Sequence, residues 1–327
     1  MTKVALITGI AGQDGSYLAE YLLAQGYQVH GVVRRNSVPE HQESRLHHLE
    51  KSVDLHYGDI EDLGSLARIL DLAQPNEVYN LSAQSHVRIS FDVPMYTARV
   101  NGLGTLGLLE ALRESRSGFK LYQASSSEMF GDSVDEDGFQ RESTPMHPVS
   151  PYGCAKLFAY HVTRNYRKSF SLFASNGVLF NHESPRRGSN FVTSKVVKTA
   201  VEIKLGLADQ LVLGNLDSYR DWGHSRDYVR AMHAILQHSV ADDFVVATGE
   251  TRSVRELCQI VFELLDLNYL DYVTQDPKFL RPEELPYLKG DPSKIKATLD
   301  WRPETSFEEM VQEMVDHWLG ILGGTGS

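Results

Sequence analysis

The chain has 327 residues, room for about two domains, and its 42% hydrophobic and 23% charged content with Gly 25 and Pro 12 excludes a disordered, collagen-like or coiled-coil chain. Its 32 basic and 43 acidic residues give a formal charge of −11, which argues against broad nucleic-acid or anionic-membrane binding and leaves anionic ligands to local basic clusters. Cys154 and Cys258 stand far apart outside any zinc or disulfide spacing. The first predicted element is the run Val4 to Ile7, continuous and apolar as in a strand buried on both faces. Gly9-Ile10-Ala11-Gly12-Gln13-Asp14-Gly15 follows, then a segment from Ser16 to Leu23 with apolar residues at helical spacing, then Gly26 and a second strand, Val29 to Val33. Strand, glycine-rich turn, helix and strand make a βαβ unit in which the glycines let the backbone approach a pyrophosphate held on the helix N-terminus. A plain turn is the alternative for the glycines alone. The short apolar run before Gly9 does not make a secretory leader, and no run approaches the ~20 residues of a membrane span, so the expectation is a soluble, cytoplasmic protein.

The second strand ends in Arg34-Arg35-Asn36-Ser37 with no carboxylate beside it. An acidic residue there would bond the ribose 2′-hydroxyl of NAD, whereas arginine suits a 2′-phosphate, so NADP is the predicted cofactor, against a solvated basic loop. A third strand, Val53 to Tyr57, leads to Gly58-Asp59; Asp59 either accepts from an adenine amino group or caps the helix beginning near Asp62. A fourth, Asn76 to Leu81, ends in Ser82-Ala83-Gln84-Ser85. A helical segment covers Tyr96 to Ser115, and a fifth strand, Phe119 to Gln123, ends in Ala124-Ser125-Ser126-Ser127-Glu128. This alternation predicts an α/β fold with a doubly wound parallel (Rossmann) sheet and ligands at the C-terminal strand ends. Ser150-Pro151-Tyr152-Gly153-Cys154-Ala155-Lys156 then places Tyr152 and Lys156 one helical turn apart on one face, where an ammonium favours the phenolate.

With these residues the chain resembles the extended short-chain dehydrogenase/reductases that act on nucleotide sugars, and within them the GDP-mannose 4,6-dehydratase family. The resemblance rests on the glycine turn, Val33 to Ser37, Tyr122 to Gly131 and the Ser150 to Lys156 motif. It continues in Leu179-Phe180-Asn181-His182-Glu183-Ser184-Pro185-Arg186-Arg187-Gly188, Arg220-Asp221-Trp222-Gly223-His224 and Arg281-Pro282-Glu283-Glu284. It implies a lyase in which NADP is reused each turnover: the sugar is oxidised at C4, water leaves across C5 and C6, and hydride returns to C6. Tyr152 would be the base for the C4 hydroxyl with Lys156 as its partner, Ser126 would bond the C4 oxygen, and Glu128 would take the C5 proton and protonate the leaving hydroxyl. A ketone at C4 makes the C5 proton acidic enough for a carboxylate, a group that a simple epimerase or reductase does not need.

The resemblance also implies a cofactor set of Gly9, Gly12, Gln13, Asp14, Gly15, Arg34, Arg35, Asn36, Ser37, Asp59, Ile60, Leu81, Ser82, Ala83, Gln84, Tyr96, His182 and Arg187 beside Tyr152 and Lys156. The GDP-sugar set is Ser85, Ser125, Ser126, Glu128, Tyr152, Asn181, Asn190, Phe191, Val192, Thr193, Lys195, Gly214, Arg220, Arg281 and Glu284. The arginines and Lys195 could neutralise a diphosphate. The Arg-Arg loop would reach a neighbouring subunit, implying a homo-oligomer, tetramer or dimer. Four features depart from the family pattern: serine at 126 for the commoner threonine, Val149 before Ser-Pro-Tyr, the acidic stretch Asp132 to Arg141 read as a solvated loop, and Arg88 in Ser85-His86-Val87-Arg88-Ile89.

Past Leu179 the alternation loosens, and Phe244 to Thr248 looks like a further strand of the same sheet. The expected division is therefore interlaced: 1–180 with about 214–250 for the cofactor, and about 181–213 with 251–322 for the GDP-sugar. Residues 323–327 read as a flexible tail. Val254 to Leu265 and Phe307 to Leu319 read as amphipathic core-packing helices, with Met310 and Met314 inside. His41, His47 and His48 read as solvent-facing, and no metal is expected. The competing readings are a dehydratase of another GDP-sugar such as a mannoheptose, a related sugar-nucleotide decarboxylase or epimerase, and a non-enzymatic NADP sensor. The intact Ser126, Glu128, Tyr152 and Lys156 weigh against the sensor.

Overall fold

The computed structural model describes residues 2–35, 45–115, 118–280 and 283–324. Asn36, Ser37, His41 and Arg281 lie outside the described residues. In chain order the first half runs β1 (Val4–Thr8), α1 (Gln13–Ala24), β2 (Gln28–Val33), β3 (Val53–Tyr57), α2 (Leu63–Ala73), β4 (Glu77–Asn80), α3 (Val87–Asp92), α4 (Pro94–Thr97), α5 (Gly104–Glu114), β5 (Lys120–Ser126), α6 (Pro151–Phe170) and β6 (Phe173–Leu179). The second half runs β7 (Asn181–Glu183), α7 (Val192–Lys204), β8 (Leu211–Leu213), β9 (Tyr219–Arg220), β10 (Trp222–His224), α8 (Ser225–Gln237), β11 (Asp243–Val246), β12 (Arg252–Ser253), α9 (Val254–Leu264), β13 (Val273–Gln275), β14 (Tyr287–Leu288), α10 (Ser293–Leu299) and α11 (Phe307–Gly323).

Seven parallel strands form the main sheet in the order β11-β6-β5-β4-β1-β2-β3. The chain winds outward from β1 through β2 to β3, then crosses back to β4 on the other side of β1. The reversal between β1 and β4 opens a crevice beyond their C-terminal ends, where helices on the two faces diverge. The apolar runs read from the sequence are these buried strands: Ala5, Leu6 and Ile7 are all sealed from solvent. One helix layer packs Leu18, Leu22, Met232 and Ile235 against the sheet, and the other packs Ile69, Leu108, Leu109 and Leu112.

Outside the sheet a separate apolar cluster gathers α7, α9 and α11, with Val197, Leu257, Phe262, Met310 and Met314 at its centre. The two helices expected there form as read, each started by a serine capping box, at Ser253 and Ser306. The second is longer than expected. It carries on through Gly323, so residue 323 belongs to a helix and not to a tail. The strand at Asp243–Val246 joins the main sheet beside β6, whereas β8 pairs with β13, and β9 lies between β12 and β14.

Three local expectations change. The segment read as one helix from Tyr96 is α4, a π-helical stretch at Ala98–Leu103 and α5 in succession. In the widened turn Asn101 is buried and brackets Gln84, accepting from its backbone N–H at 2.8 Å and donating to its carbonyl at 3.0 Å. The cap of α2 is Asp62, which accepts from the Gly64 and Ser65 N–H groups, and Asp59 accepts from the Glu61 N–H instead. The acidic stretch before Arg141 is not a loose solvated loop. Arg141 pairs with Asp135 and Asp137 within it and with Asp291 at 2.7 Å, and fully buried Gln140 exchanges backbone hydrogen bonds with Lys289 and Asp291. Opposite charges close in sequence fold the loop on a single guanidinium and dock it to the chain after β14.

Candidate active site

A cleft of about 1140 Å³ runs from the glycine turn across the ends of β5 and β6 to the segment after β8. Its cofactor end is built largely from backbone. Gly9 has φ +70, and a Cβ there would meet the Leu81 carbonyl carbon at 2.9 Å; a Cβ on Gly15 would meet the Gly9 oxygen at 2.4 Å. Only glycine lets the turn close this tightly and bring the start of α1 to the cleft. Gly12 is the N-cap of α1 with no side chain capping it, so the first-turn N–H groups face the cleft without a side-chain acceptor. The strand ends beside this turn are tied by buried side chains: Thr8 donates to Asn80 at 2.6 Å, and Asn80 donates to Gln123 at 2.7 Å. Thr8 Oγ1 also accepts from the Leu81 and Ser82 N–H groups, which sets the loop after β4 along the cleft.

Gly9, Gly12, Gln13, Asp14, Gly15, Arg34, Ile60, Leu81, Ser82, Ala83, His182 and Arg187 all line this end. Four other expected cofactor residues do not. Arg35 is exposed away from the cleft, Asp59 bonds its own turn, Gln84 is held by Asn101, and Tyr96 stands behind Arg34 and accepts from its guanidinium. Asp14 and His182, separated by 168 positions, pair at 2.7 Å, and His182 Nδ1 donates to the Phe180 carbonyl. Burial opposes charge on both groups, but their attraction and shared hydrogen bond outweigh it. The Asp14 carboxyl therefore sits below its ordinary range and the His182 imidazole above its own.

The four residues expected to be catalytic meet at the centre. β5 ends in Ser126, whose Oγ accepts from the Glu128 N–H in the short turn that follows. α6 starts at Ser150, whose hydroxyl accepts from the Gly153 N–H, with Pro151 at the first helical position. Tyr152 and Lys156 thereby project into the same cleft as Ser126 and Glu128, all four buried. The spacing argument for an acidified phenol fails for the residues alone. Burial pushes the Tyr152 phenol up to about 12, and the nearby Glu128 charge adds to this, while a hydrogen bond from Ser126 and the Arg187 charge pull the other way. Lys156 Nζ donates to the Ala124 carbonyl at 2.8 Å and lies 5.9 Å from the Tyr152 ring centre, and burial lowers it to about 8. A desolvated ammonium in this position does not offset the phenol's own desolvation.

The far end of the cleft is lined by Ser85, Ser125, Asn181, Asn190, Phe191, Val192, Lys195, Gly214, Arg220 and Glu284. Thr193 is buried behind it, bonded to Glu183. Arg187 stacks 3.7 Å from the Phe191 ring centre, and Lys195 lies 4.0 Å over Phe279 while donating to the Val212 carbonyl. Arg220 donates to the Tyr219 carbonyl at 2.8 Å, and the next residue, Asp221, is a buried carboxylate that accepts from the Thr248 N–H and hydroxyl, the Gly249 N–H and, at 3.4 Å, the Gly290 N–H. Burial raises the Asp221 carboxyl to about 6 even though these donors lower it. One side chain thus ties β9 to the loop after β11 and the segment after β14.

Several residues escaped the sequence reading. Arg45 lines the cleft, as does Arg88, which the sequence marked only as a departure from the family pattern and which pairs with Asp92 at 2.8 Å. Thr8, Asn80, Gln123, Asn101 and Asp221 act from behind it. A polar residue next to apolar ones inside a buried strand is the signal that could have found Asn80, at the end of β4, and Gln123, in the middle of β5. Val149 packs beside Met129, Phe130 and Phe180, an apolar seat in place of the family's arginine. His47 and His48 are exposed, each beside a carboxylate, and no metal-binding group appears among the described residues. No described helix is long and apolar enough to cross a membrane.

The family model for GDP-mannose 4,6 dehydratase matches residues 6–314. The chain is 49% identical to GDP-mannose 4,6 dehydratase 1 of Arabidopsis thaliana, over 98% of this chain and 90% of that protein. It is 49% identical to the Homo sapiens GDP-mannose 4,6 dehydratase over 96% of this chain and 90% of the relative. Among solved structures, a UDP-glucose 4-epimerase of Thermus thermophilus superposes with a TM-score of 0.84 at 28% identity, covering 98% of this chain and all of that one. A dTDP-glucose 4,6-dehydratase of Streptomyces venezuelae superposes with a TM-score of 0.85 at 25% identity, covering 98% of each. The chain belongs to the GDP-mannose 4,6-dehydratase family.

Proposed function

We propose that this chain is an NADP-dependent lyase that converts GDP-D-mannose to GDP-4-keto-6-deoxy-D-mannose. The observation that carries the proposal is the meeting of Ser126, Glu128, Tyr152 and Lys156 in one cleft with the glycine turn. A dinucleotide fits the cofactor end: the turn has no room for a Cβ at Gly9 or Gly15, and the N-terminus of α1 is uncapped by any side chain. Gly12 and the α1 N-terminus would hold its diphosphate, Arg34 a 2′-phosphate, and Lys156 the nicotinamide ribose. Bound there, the nicotinamide would supply a hydride acceptor and donor, and its oxidised ring a positive field favouring the Tyr152 phenolate.

The chain's own residues do the proton work. Ser126 lies within hydrogen-bond reach of the Tyr152 phenol oxygen; Tyr152, as phenolate, takes the C4 hydroxyl proton, and the serine hydroxyl then turns to steady the C4 oxygen. Glu128, buried in the cleft wall, removes the proton from C5 and delivers one to the hydroxyl leaving C6, which departs as water. Asn181, Lys195, Arg220 and Glu284 would fix the GDP portion at the far end, where the two cations meet its phosphates. Incubation with GDP-mannose, followed by mass spectrometry, should show a product lighter by one water with no stoichiometric NADPH. Steady NADPH accumulation would replace the lyase cycle by a dehydrogenase, and turnover of a bulkier GDP-sugar in preference would change the substrate.

A further inference from the structure

Arg45 precedes the short turn at His47–Leu49 and reaches back across the cleft to the glycine turn. Its Nε donates to the Arg186 carbonyl at 2.9 Å, and its terminal Nη1 reaches the Ala11 carbonyl at 3.4 Å. Two cations, Arg186 and Arg187, lie close enough to act on it. Arg186 pairs with Glu20, and Arg187 lies 2.9 Å from Glu183 as an ion pair not aligned for a hydrogen bond. Arg45 itself has no carboxylate within bridging distance among the described residues, and both of its hydrogen bonds end on uncharged carbonyls. Burial and the charges of Arg186 and Arg187 disfavour its charged form. A guanidinium held half-buried beside two like charges, at the mouth of an uncapped helix N-terminus, is stabilised when an anion joins it.

We propose that Arg45 is a diphosphate-binding residue of the dinucleotide, closing over the glycine turn opposite the α1 N-terminus; the proposal rests on the cofactor reading above. Its position selects the diphosphate and not the 2′-phosphate, because it touches Ala11 in the turn, whereas Arg34 stands at the end of β2. Two neighbouring arginines therefore have separate tasks: Arg34 distinguishes the nucleotides, and Arg45 binds the part that both share.

Calorimetric titration of the nucleotide-free full chain with NADP and with NAD tests this. Arg45→Gln should weaken binding of both nucleotides by the same factor, about tenfold for one lost charge-assisted hydrogen bond. Arg34→Gln should weaken NADP alone. Without nucleotide, Arg45→Gln should unfold no lower than wild type, since a repulsion is removed, and Arg45→Lys should recover part of the affinity. Unchanged affinity in Arg45→Gln, or a loss confined to NADP, would overturn the assignment while leaving the cofactor reading intact. A drop in unfolding temperature that Arg45→Lys repairs without regaining affinity would make the residue structural and equally overturn it. Wild type binding neither nucleotide would overturn the cofactor reading itself.

Discussion

The two ends of the cleft are built in opposite ways. At the cofactor end the decisive groups are consecutive in the chain: seven residues from Gly9 to Gly15 form the turn, and the ligand-facing donors are backbone N–H groups of α1. At the substrate end the strand that carries Arg220 is followed by Asp221, whose side chain gathers residues 248, 249 and 290. A site made of backbone in one segment tolerates side-chain change nearby but no added Cβ. A site assembled from distant segments is held by a few buried polar groups, each of which leaves several partners stranded when removed.

The comparison can be broken most forcefully at the centre, where the two ends meet. Glu128→Gln should lower product formation by ~10² or more with nucleotide binding unchanged in titration, because the amide is isosteric and cannot take the C5 proton. Near-wild-type turnover would remove Glu128 from the chemistry. At the substrate end, Asp221→Ala should cost about 3 kcal/mol in denaturant unfolding, the penalty for donors left unmet in a buried place. It should also raise KM for the GDP-sugar more than it changes affinity for the nucleotide. Equal effects on both ligands would erase the distinction between the two ends.

The smallest effect is expected at the Asp14–His182 pair, which laces α1 to β7. Asp14 is depressed, so its contribution is present above its ordinary value of 3.8 and lost as pH falls through the lower folded value. His182 is raised, so its contribution is full below 6.5 and lost as pH rises through the higher folded value. The stability advantage of wild type over Asp14→Asn should therefore be greatest, about 1 kcal/mol, in mildly acidic solution and shrink on the alkaline side of 6.5. Thermal unfolding of both proteins across pH would read it, and an advantage that grows with pH would contradict the pairing.

How much of this was written in the sequence depends on the range over which each feature is decided. The βα alternation, the glycine turn, the Ser-Pro-Tyr start of α6 and the amphipathic periods of α9 and α11 were legible, because each rests on contacts within a few residues, where hydrophobic period and missing Cβ atoms act. The four residues expected to be catalytic were legible as residue types at the end of β5 and the start of α6, and the structure brings them into one cleft.

What only the tertiary structure decided are the interactions whose partners are far apart in the chain. The 168-residue span between Asp14 and His182, the docking of the acidic loop through Arg141 and Asp291, the arginines gathered around Arg45, and the departure of Gln84 and Tyr96 from the cleft have no local signature. Nor does the state of the Tyr152 phenol. A spacing of four residues brings a lysine to the same helix face, but burial sets the energy of both charges, and burial is a property of everything packed around them.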